Sequence, residues 1–309
     1  MRPLFAALIL LTLAAAAPPA VAQTDQTQAT RALAHAFLER MYGQNDTRGA
    51  YHAFAAPDFI QHNPLMADGL AGHDAYFDSL AKQPSGKTVE WAHVFDMVLV
   101  DGDLFAVLHH VFRSPEDQGR VFVDLFRVAD GKIVEHWDVI QAIPATMPHG
   151  NGMACGQGND YASARALGDT LNHPTCGAPD PRATRKDSMD VIDAYLKDIR
   201  AGDVVSGIRR WYSPSYRQHS PTIPDGVEGA ITYLEHEYGK TVKALPSLGP
   251  AHVVAEGDYV LFHRLVTYPG QTRPSANVDI FRVTDGKVSE HWDIKQKSPE
   301  TSANGHGMW

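Results

Sequence analysis

The chain has 309 residues, of which 44% are hydrophobic and 20% are charged, so it is globular in composition and long enough for two domains. Its net charge is −9, and its lysines and arginines are not gathered into any run. These features argue against nucleic acid as a partner, because binding to phosphates relies on a clustered basic surface.

The N-terminal segment 1–22, MRPLFAALILLTLAAAAPPAVA, has the three parts of a secretory signal peptide. Arg2 gives a positive start, an apolar stretch runs from Leu4 to Ala17, and Ala20–Ala22 is a small-x-small cleavage site. An N-terminal membrane anchor is the alternative, but the stretch is short for a span of about 20 residues. We therefore expect a periplasmic or secreted protein that is not held in a membrane after cleavage.

Two long stretches of the sequence occur twice. FIQHNPLMADGLAG (59–72) aligns with YRQHSPTIPDGVEG (216–229), and FVDLFRVADGKIVEHWDVIQ (122–141) aligns with NVDIFRVTDGKVSEHWDIKQ (277–296), both without a gap. The closing strings GNGM and GHGM also agree. The chain is therefore a tandem duplication of a module of roughly 120 residues.

We predict one module over 23–143 and the other over 187–309, joined by a linker over 144–186 that is rich in Gly, Pro, Asn and Ala. The linker contains the only two cysteines, Cys155 and Cys176. In an oxidising compartment we expect a disulfide between them, which would close a loop of about 20 residues and contribute ~3 kcal/mol. Two unpaired thiols are the alternative.

Each module has helices first and strands afterwards. A first helix is followed by a short second helix that ends near Phe54 or Trp211, then by a QH-P loop, then by a third helix after Asp68 or Asp225. In the first copy the strands are predicted over 88–100, 104–113, 120–128 and 132–142. This order predicts an α+β fold in which the helices cover one face of an antiparallel sheet.

The string VADGKI joins the last two strands of the first copy and allows two registers. A two-residue Asp-Gly turn would place Asp124 opposite Trp137, whereas a three-residue turn with a bulge at Gly131 would place Asp124 opposite His136. We favour the bulge, because Ala129 ahead of Asp-Gly suits a type I turn followed by a glycine in the left-handed conformation. One face is then apolar, and the other carries Phe122, Asp124, Phe126, Val134, His136 and Asp138. We expect Phe122 and Phe126 on this face to contact a bound ligand.

A turn centred on Asp117 would add His110 to this face, directly opposite Asp124. The second copy keeps Asp279, His291 and Asp293, but it has Leu265 in place of His110 and a histidine, His263, two residues earlier on the same face. We expect Asp279, His291, Asp293 and His263 to contact a ligand in that copy. A carboxylate on an apolar, partly dry face is suited to general acid/base work. A solvated polar face of a one-sided sheet is the alternative.

Two further histidine patterns are weaker signals of a site. His62 and His219 precede a proline in a loop at the expected rim of each pocket, where a binding and a structural role are equally compatible with the sequence. His136, Asp138 and His110 could form a metal site of two histidines and one carboxylate. The second copy lacks the equivalent of His110, so we predict neither a metal nor another cofactor.

These strings resemble the SnoaL-like polyketide cyclases, a family within the nuclear transport factor 2-like superfamily that also includes ketosteroid isomerase. The resemblance covers about 30–153 and 187–309. It implies two cone-shaped α+β domains, each a curved sheet closed by about three helices around an apolar cavity. The acid/base aspartate of the cyclases falls on Asp124 and its neighbouring histidine on His110.

The resemblance also implies cofactor-free chemistry. We expect a lyase or isomerase that abstracts a proton α to the carbonyl of a small hydrophobic compound or closes a ring by an aldol reaction. His62, His136 and Asp138 would position the substrate. A non-catalytic periplasmic module for binding small ligands or for stress response is the alternative. Because relatives are commonly homodimers packed through their sheets, we expect the two copies to form this contact within one chain.

Overall fold

A computed structural model describes residues 19–81, 91–238, 248–268 and 271–309 of the chain. Most of the predicted signal peptide lies outside the described residues, as do the first residues of the strand predicted over 88–100. Within the described ranges, no helix is long and apolar enough to cross a membrane.

The first copy begins with helices that enclose one side of its sheet. Helix α1 continues into a short π-helical turn, Glu39–Gly43, and α2 is capped by Asp46, whose side chain accepts a hydrogen bond from the Gly49 amide. The elements of this copy are α1 (Pro19–Leu38), α2 (Thr47–Phe54), β1 (Ala55–Gln61), α3 (Gly69–Ala81), β2 (Ala92–Asp101), β3 (Leu104–Phe112), β4 (Arg120–Ala129) and β5 (Lys132–Ala142).

The second copy repeats this order after a connecting segment, residues 143–184, that contains one short helix, α4 (Tyr161–Ala166). Thr184 caps the helix that follows it by accepting from the Asp187 amide. The elements are α5 (Arg185–Arg200), α6 (Val204–Trp211), β6 (Tyr212–Gln218), α7 (Gly226–Tyr238), β7 (Leu248–Glu256), β8 (Tyr259–Val266), β9 (Ser275–Thr284) and β10 (Lys287–Lys297).

Each copy has a five-stranded sheet, in the order β1-β5-β4-β3-β2 and β6-β10-β9-β8-β7. The predicted α+β fold class is confirmed. The sheets are mixed, however, because β1 and β6 pair in parallel with the last strand of their own copy. The sequence prediction had only the QH-P loop between the second and third helices, whereas the structure has β1, which includes Pro57. Proline is tolerated at this position because β1 is an edge strand.

Neither predicted register for the hairpin between β4 and β5 is correct. Asp130 and Gly131 form a two-residue turn with φ of 49° and 71°, as a type I′ turn requires. A bulge at Val134 in β5 then shifts the pairing, so that Asp124 lies opposite Asp138. The predicted faces are nevertheless right beyond the bulge, because the shift from the favoured register is two residues and side chains alternate with a period of two.

The apolar faces of the two sheets pack against each other and form one shared core. This core includes Trp137 and Val139 of the first copy and Trp292 and Ile294 of the second, all 1% exposed or less. Side-chain oxygens cross between the copies in matched pairs. Gln296 accepts from the Ile140 amide at 2.6 Å, and Gln141 accepts from the Lys295 amide at 2.8 Å. The two sheets therefore meet with approximate twofold symmetry.

The segment that follows each sheet packs on the other copy. After the first sheet, the Gly152 carbonyl contacts His219 Nδ1 at 3.1 Å. After the second sheet, the Gly307 carbonyl contacts His62 Nδ1 at 3.0 Å. Met153 and Met308, the next residue in each tail, are buried in the shared core. The GNGM and GHGM repeats are thus exchanged tails.

The connecting segment is anchored to the outer side of β2 and β3. Cys155 and Cys176 are joined by a disulfide with a Cα–Cα distance of 5.2 Å. Asp96, which stands at a bulge in β2, accepts from the Thr175 hydroxyl at 2.5 Å, and its backbone carbonyl accepts from the Cys176 amide. These contacts hold the disulfide-bonded part of the segment against the first copy, while the Cys176 carbonyl accepts from the Tyr259 hydroxyl of the second copy at 2.9 Å.

Candidate functional site

The interior of the first copy is formed by the helix-facing side of its sheet. Asp124 of β4 and the two polar residues of β5, His136 and Asp138, project to this side as predicted. Phe122 and Phe126, which were predicted to bind ligand, act here as supports for rings: Phe126 stacks on His136 at 4.5 Å and Phe122 stacks on His109 at 5.1 Å. The site is therefore an aromatic-walled cluster of ionisable groups.

Two histidines hold Asp124. His109 Nε2 lies 2.7 Å from Oδ2, and His136 Nε2 lies 3.1 Å from Oδ1. Burial raises the pKa of Asp124, but the hydrogen bonds from the two imidazoles outweigh burial and hold its pKa well below the usual range. Asp124 is thus an ionised carboxylate at neutral pH, which orients the two rings and is a poor proton acceptor.

The surroundings of Asp138 shift its pKa in the direction opposite to that of Asp124. It lies across from Asp124 in the sheet and is 4% exposed. The net effect raises its pKa to about 6, because burial and the nearby Asp124 charge outweigh His136 and a hydrogen bond from Asn63. Asn63 Nδ2 donates to Oδ2 at 2.5 Å, whereas buried Oδ1 has no hydrogen-bond partner among the described residues. Asp138 therefore has the properties of a general base.

The ring of His109 also leaves one nitrogen available. Its Nε2 faces Asp124, and its Nδ1 is buried without a hydrogen-bond partner in the described ranges. A carboxylate that fixes one nitrogen of an imidazole also fixes its tautomer and stabilises its protonated form. The contact with Asp124 therefore leaves Nδ1 as the open nitrogen of the His109 ring.

The prediction that His110 lies beside Asp124 is wrong. His110 pairs with Val121 and faces the outer side of the sheet, where Nδ1 lies 2.7 Å from Asp96 Oδ2 and Nε2 lies 2.8 Å from the Gly158 carbonyl. The observed pairing of β3 with β4 is shifted by three residues from the predicted pairing. Because side chains alternate between the two faces of a strand, this odd shift moves His110 to the opposite face of the sheet. His110 is an anchor for the connecting segment.

His62 and His219 are also absent from the interiors, contrary to the predicted binding role. Each stacks on the tryptophan of the shared core, His62 on Trp137 at 5.0 Å and His219 on Trp292 at 4.6 Å. Their second nitrogens contact Glu135 and Glu290 at 3.0 and 3.1 Å. They hold the exchanged tails, and their position at a strand end directs them away from the helices.

The second copy keeps the carboxylates and changes their surroundings. Asp279 contacts His291 Nε2 at 3.3 Å, and Asp293 contacts Lys295 Nζ at 2.6 Å. The residue beside Asp279 at the position of His109 is Arg264. His263, which was predicted to share this face, instead faces the shared core and contacts His252 at 3.3 Å. Its placement is wrong for the same reason as that of His110.

A metal site built from His110, His136 and Asp138 is not assembled, because His110 lies on the other face. A different set, Asp124, His136 and Asp138, brings ligand atoms within 4.8 Å of one another. In this set His136 already directs Nε2 at Asp124. The geometry is that of a hydrogen-bonded cluster in which both oxygens of Asp124 are engaged.

Sequence reasoning missed His109 and Asn63. A comparison of the two copies could have indicated His109. Its position is polar in both copies, as His109 and Arg264, whereas the position of His110 is apolar in the second copy, as Leu265. A side chain that faces a polar interior in both copies should remain polar. For Asn63 the corresponding residue is Ser220, again able to donate to the carboxylate of the last strand.

The sequence matches the SnoaL-like domain model twice, over 33–136 and 192–291. The chain belongs to the SnoaL-like domain family. The two matched segments together span more than half of the chain and correspond to the two copies, so the predicted family and its tandem arrangement are confirmed. No curated protein matches the sequence.

Solved structures similar to this chain each resemble a single copy. A nuclear transport factor 2-like protein of unknown function from Burkholderia xenovorans is 17% identical, covers 38% of this chain and 88% of its own, and has a TM-score of 0.31. A candidate ketosteroid isomerase from Kribbella flavida is 23% identical, with 40% and 86% coverage and a TM-score of 0.32. IdmH from Streptomyces antibioticus, a candidate polyketide cyclase, is 20% identical, with 35% and 91% coverage and a TM-score of 0.29.

Proposed function

We propose that the first copy is a cofactor-independent lyase or isomerase that removes a proton α to the carbonyl of a small hydrophobic compound. The observation that carries the proposal is Asp138, a buried carboxyl whose pKa is raised to about 6 and whose Oδ1 has no partner in the described part of the chain. A base with a pKa near the working pH combines a large ionised fraction with a useful proton affinity. Membership of the SnoaL-like family supports the same reaction class.

In the proposed reaction the carbonyl compound lies with its α-carbon against Asp138. Oδ1 takes the α-proton and leaves an enolate, whose oxygen is stabilised by a proton on His109 Nδ1. Asp124 holds the other nitrogen of His109 and stabilises the positive charge of that ring. Return of the proton to another carbon completes an isomerisation. Attack of the enolate carbon on a second carbonyl of the same molecule forms a carbon–carbon bond, breaks the π bond of that carbonyl and closes a ring, and the resulting alkoxide takes the proton from Asp138.

This assignment changes the roles predicted from the sequence. Asp124 was expected to be the base, yet its low pKa makes it the group that positions His109 and His136. His110 was expected to hold the enolate oxygen, and His109 takes that role in the proposal. Phe122 and Phe126 keep the two imidazoles in place by stacking.

Proton exchange in heavy water tests the proposal without knowledge of the natural substrate. The full chain is incubated with a panel of alicyclic and aryl ketones and 1,3-diketones, and loss of the α-proton signal is followed by NMR. We expect exchange with at least one member, a rate that rises with pH through about 6 as Asp138 ionises, and a loss of about 10²–10⁴-fold in Asp138→Asn.

A matched control is Asp78→Asn, which changes the same chemical group on a side chain of α3 that is 56% exposed. It should exchange like the unmodified chain. If the whole panel fails to exchange, or if Asp138→Asn exchanges as fast as Asp78→Asn, the catalytic proposal is wrong. Ligand binding by the same chain without exchange would then favour the non-catalytic binding module.

We also propose that the protein is exported and monomeric. The N-terminal sequence and the disulfide between Cys155 and Cys176 support an oxidising compartment. The shared core supports a monomer, since the sheet faces that would otherwise associate cover each other within one chain. Cell fractionation with mass measurement should find a periplasmic or secreted chain that begins at Gln23. Sedimentation should give one chain per particle, and an obligate dimer would contradict the second point.

A further inference from the structure

The interior of the second copy differs from that of the first at three neighbouring positions. Strand pairing places Arg264 where the first copy has His109, Asn277 where it has Phe122, and Lys295 where it has Ile140. Two cations and one amide thus replace an imidazole, an aromatic ring and an aliphatic side chain. Asn277 and Lys295 are directly opposite each other, so the change forms one contiguous polar wall.

These side chains line a cavity of about 160 Å³ between the sheet and the helices. Its opposite wall is apolar and includes Leu196, Ile199 and Ile208. The volume is well below the range of about 300–1,000 Å³ found for drug-sized ligands. The cavity therefore suits a small molecule with an apolar body and one polar end.

Arg264 is the group with the least complete set of contacts. It is 4% exposed, its guanidinium stacks over the Phe262 ring at 4.7 Å, and its Nε has no hydrogen-bond partner in the described part of the chain. Burial lowers its pKa, although Asp279 acts in the opposite direction. A guanidinium stays charged in proteins and has five donors arranged to match a carboxylate. A buried charge with open donors is unfavourable unless an anion completes it.

The other charges of this wall are already paired. Lys295 binds Asp293 Oδ2 at 2.6 Å, and burial opposes its charge but the Asp293 carboxylate outweighs burial and raises its pKa. Asp279 accepts from His291 at 3.3 Å. Two buried acceptors, Asn277 Oδ1 and Asp293 Oδ1, have no hydrogen-bond partner among the residues described. The wall therefore offers a buried guanidinium whose Nε is open, beside two open acceptors.

We propose that the cavity of the second copy is a separate binding site for a small organic monocarboxylate with an apolar body, held by a pair of hydrogen bonds from the Arg264 guanidinium. A hydroxyl on the ligand would donate to the open acceptors at Asn277 and Asp293. The site is independent of the reaction proposed for the first copy. The duplication would then have given one catalytic interior and one interior that recognises an acid.

Calorimetry on the full chain with 4-hydroxybenzoate, benzoate and neutral 4-hydroxybenzamide tests this site. We expect one molecule of 4-hydroxybenzoate per chain and at least tenfold weaker binding of the amide, which has the same shape without the charge. Arg264→Gln should weaken 4-hydroxybenzoate at least tenfold, and Arg264→Lys should retain part of the affinity. Arg209→Gln, a matched change at a side chain that is 55% exposed, should bind like the unmodified chain.

A second variant keeps the test decisive if Arg264→Gln does not fold. Asn277→Phe introduces the ring that the first copy carries at this position, so it should fill the cavity and abolish binding while leaving every charge in place. Equal affinity for the acid and the amide, or binding unaffected by Asn277→Phe, would overturn the proposal. So would loss of binding in His109→Gln together with unchanged binding in Arg264→Gln, because the carboxylate would then lie in the first copy.

Discussion

The two interiors share a backbone and the same aspartate–histidine–aspartate positions, yet their electrostatics differ. In the first copy, two histidines depress the pKa of Asp124 while burial raises the pKa of Asp138 to about 6. In the second copy, Lys295 pairs with the carboxylate that corresponds to Asp138, so no free base of this kind is left there. A pair of titratable groups whose environments separate their pKa values marks an acid/base site. This property distinguishes the copies better than the shared residues do.

The two sheets also differ on the faces that point away from the helices, and the difference comes from the connecting segment. In the first copy Asp96 and His110 form a buried pair that holds the connecting segment. In the second copy Leu265 takes the position of His110, and the neighbours of the bulge residue Asp96 correspond to Ala251 and His252, which are consecutive, so this pair is not repeated. In the sequence, His110 seemed to distinguish a catalytic copy from a non-catalytic one. The structure explains His110 instead by its contact with the connecting segment.

Replacing His109 by Arg, the residue of the second copy, should have the largest effect. The substitution removes the imidazole Nδ1 that is proposed to stabilise the enolate oxygen, so α-proton exchange should fall by about 10²–10⁴-fold while far-UV circular dichroism stays unchanged. The rate is measured by NMR on a ketone that the unmodified chain exchanges. Retention of most of the activity would mean that Asp138 acts without His109.

His110→Leu, which likewise introduces the residue of the second copy, should affect stability and leave the rate per folded molecule intact. Removing one partner of a buried ion pair costs about 3–5 kcal/mol. Burial lowers the pKa of His110, but Asp96 outweighs burial and raises it, so the stabilisation is full below about pH 6.5 and declines as pH rises. Urea unfolding should therefore show a larger penalty at pH 6 than at pH 9. A loss of turnover without a loss of stability would restore the catalytic role predicted from the sequence.

Asp138→Asn should make the folded chain more stable at neutral pH. The carboxyl has a pKa of about 6 when folded and about 4 when unfolded, so ionisation above pH 4 favours the unfolded state. Removing this charge should raise the free energy of unfolding by up to about 3 kcal/mol at pH 7.5 and by nothing near pH 4.

Asp279→Asn in the second copy provides the contrast. Burial raises the pKa of Asp279, but the hydrogen bond from His291 outweighs burial and lowers it. Its ionisation therefore stabilises the fold above the unfolded pKa, and this variant should lose stability at pH 7.5 and lose less as pH falls. If both variants shift in the same direction, the electrostatic difference between the interiors is not as described.

Gln141→Ala and Gln296→Ala should have the smallest effects, about 1 kcal/mol each, because each removes one hydrogen bond across the shared core. The two losses should agree, since the two bonds are related by the approximate twofold symmetry. Thermal unfolding of both variants measures them. A much larger loss in one of the two would show that the copies contribute unequally to their interface.

The repeated strings and their alternation determined much of the architecture. They indicated the duplication, the α+β class and the face shared by Asp124, His136 and Asp138, because alternation with a period of two tolerates an even error in register. The repeated strings did not reveal the contacts that they make between the copies. Gln141 and Gln296 each bind the other copy, and each glycine-containing tail packs on the other copy. Such contacts join residues far apart in sequence and leave no local pattern.

The choice between His109 and His110 depended on the tertiary structure alone. Both are buried to 2% exposure or less, and both contact a carboxylate at 2.7 Å. Which of them meets Asp124 is decided by the pairing of β3 with β4 across residues 113–119, and an odd error there exchanges the faces. The sequence by itself determined the fold and the carboxylates. The pKa values, and therefore which carboxylate can act as the base, follow from burial and from neighbours that only the packed structure brings together.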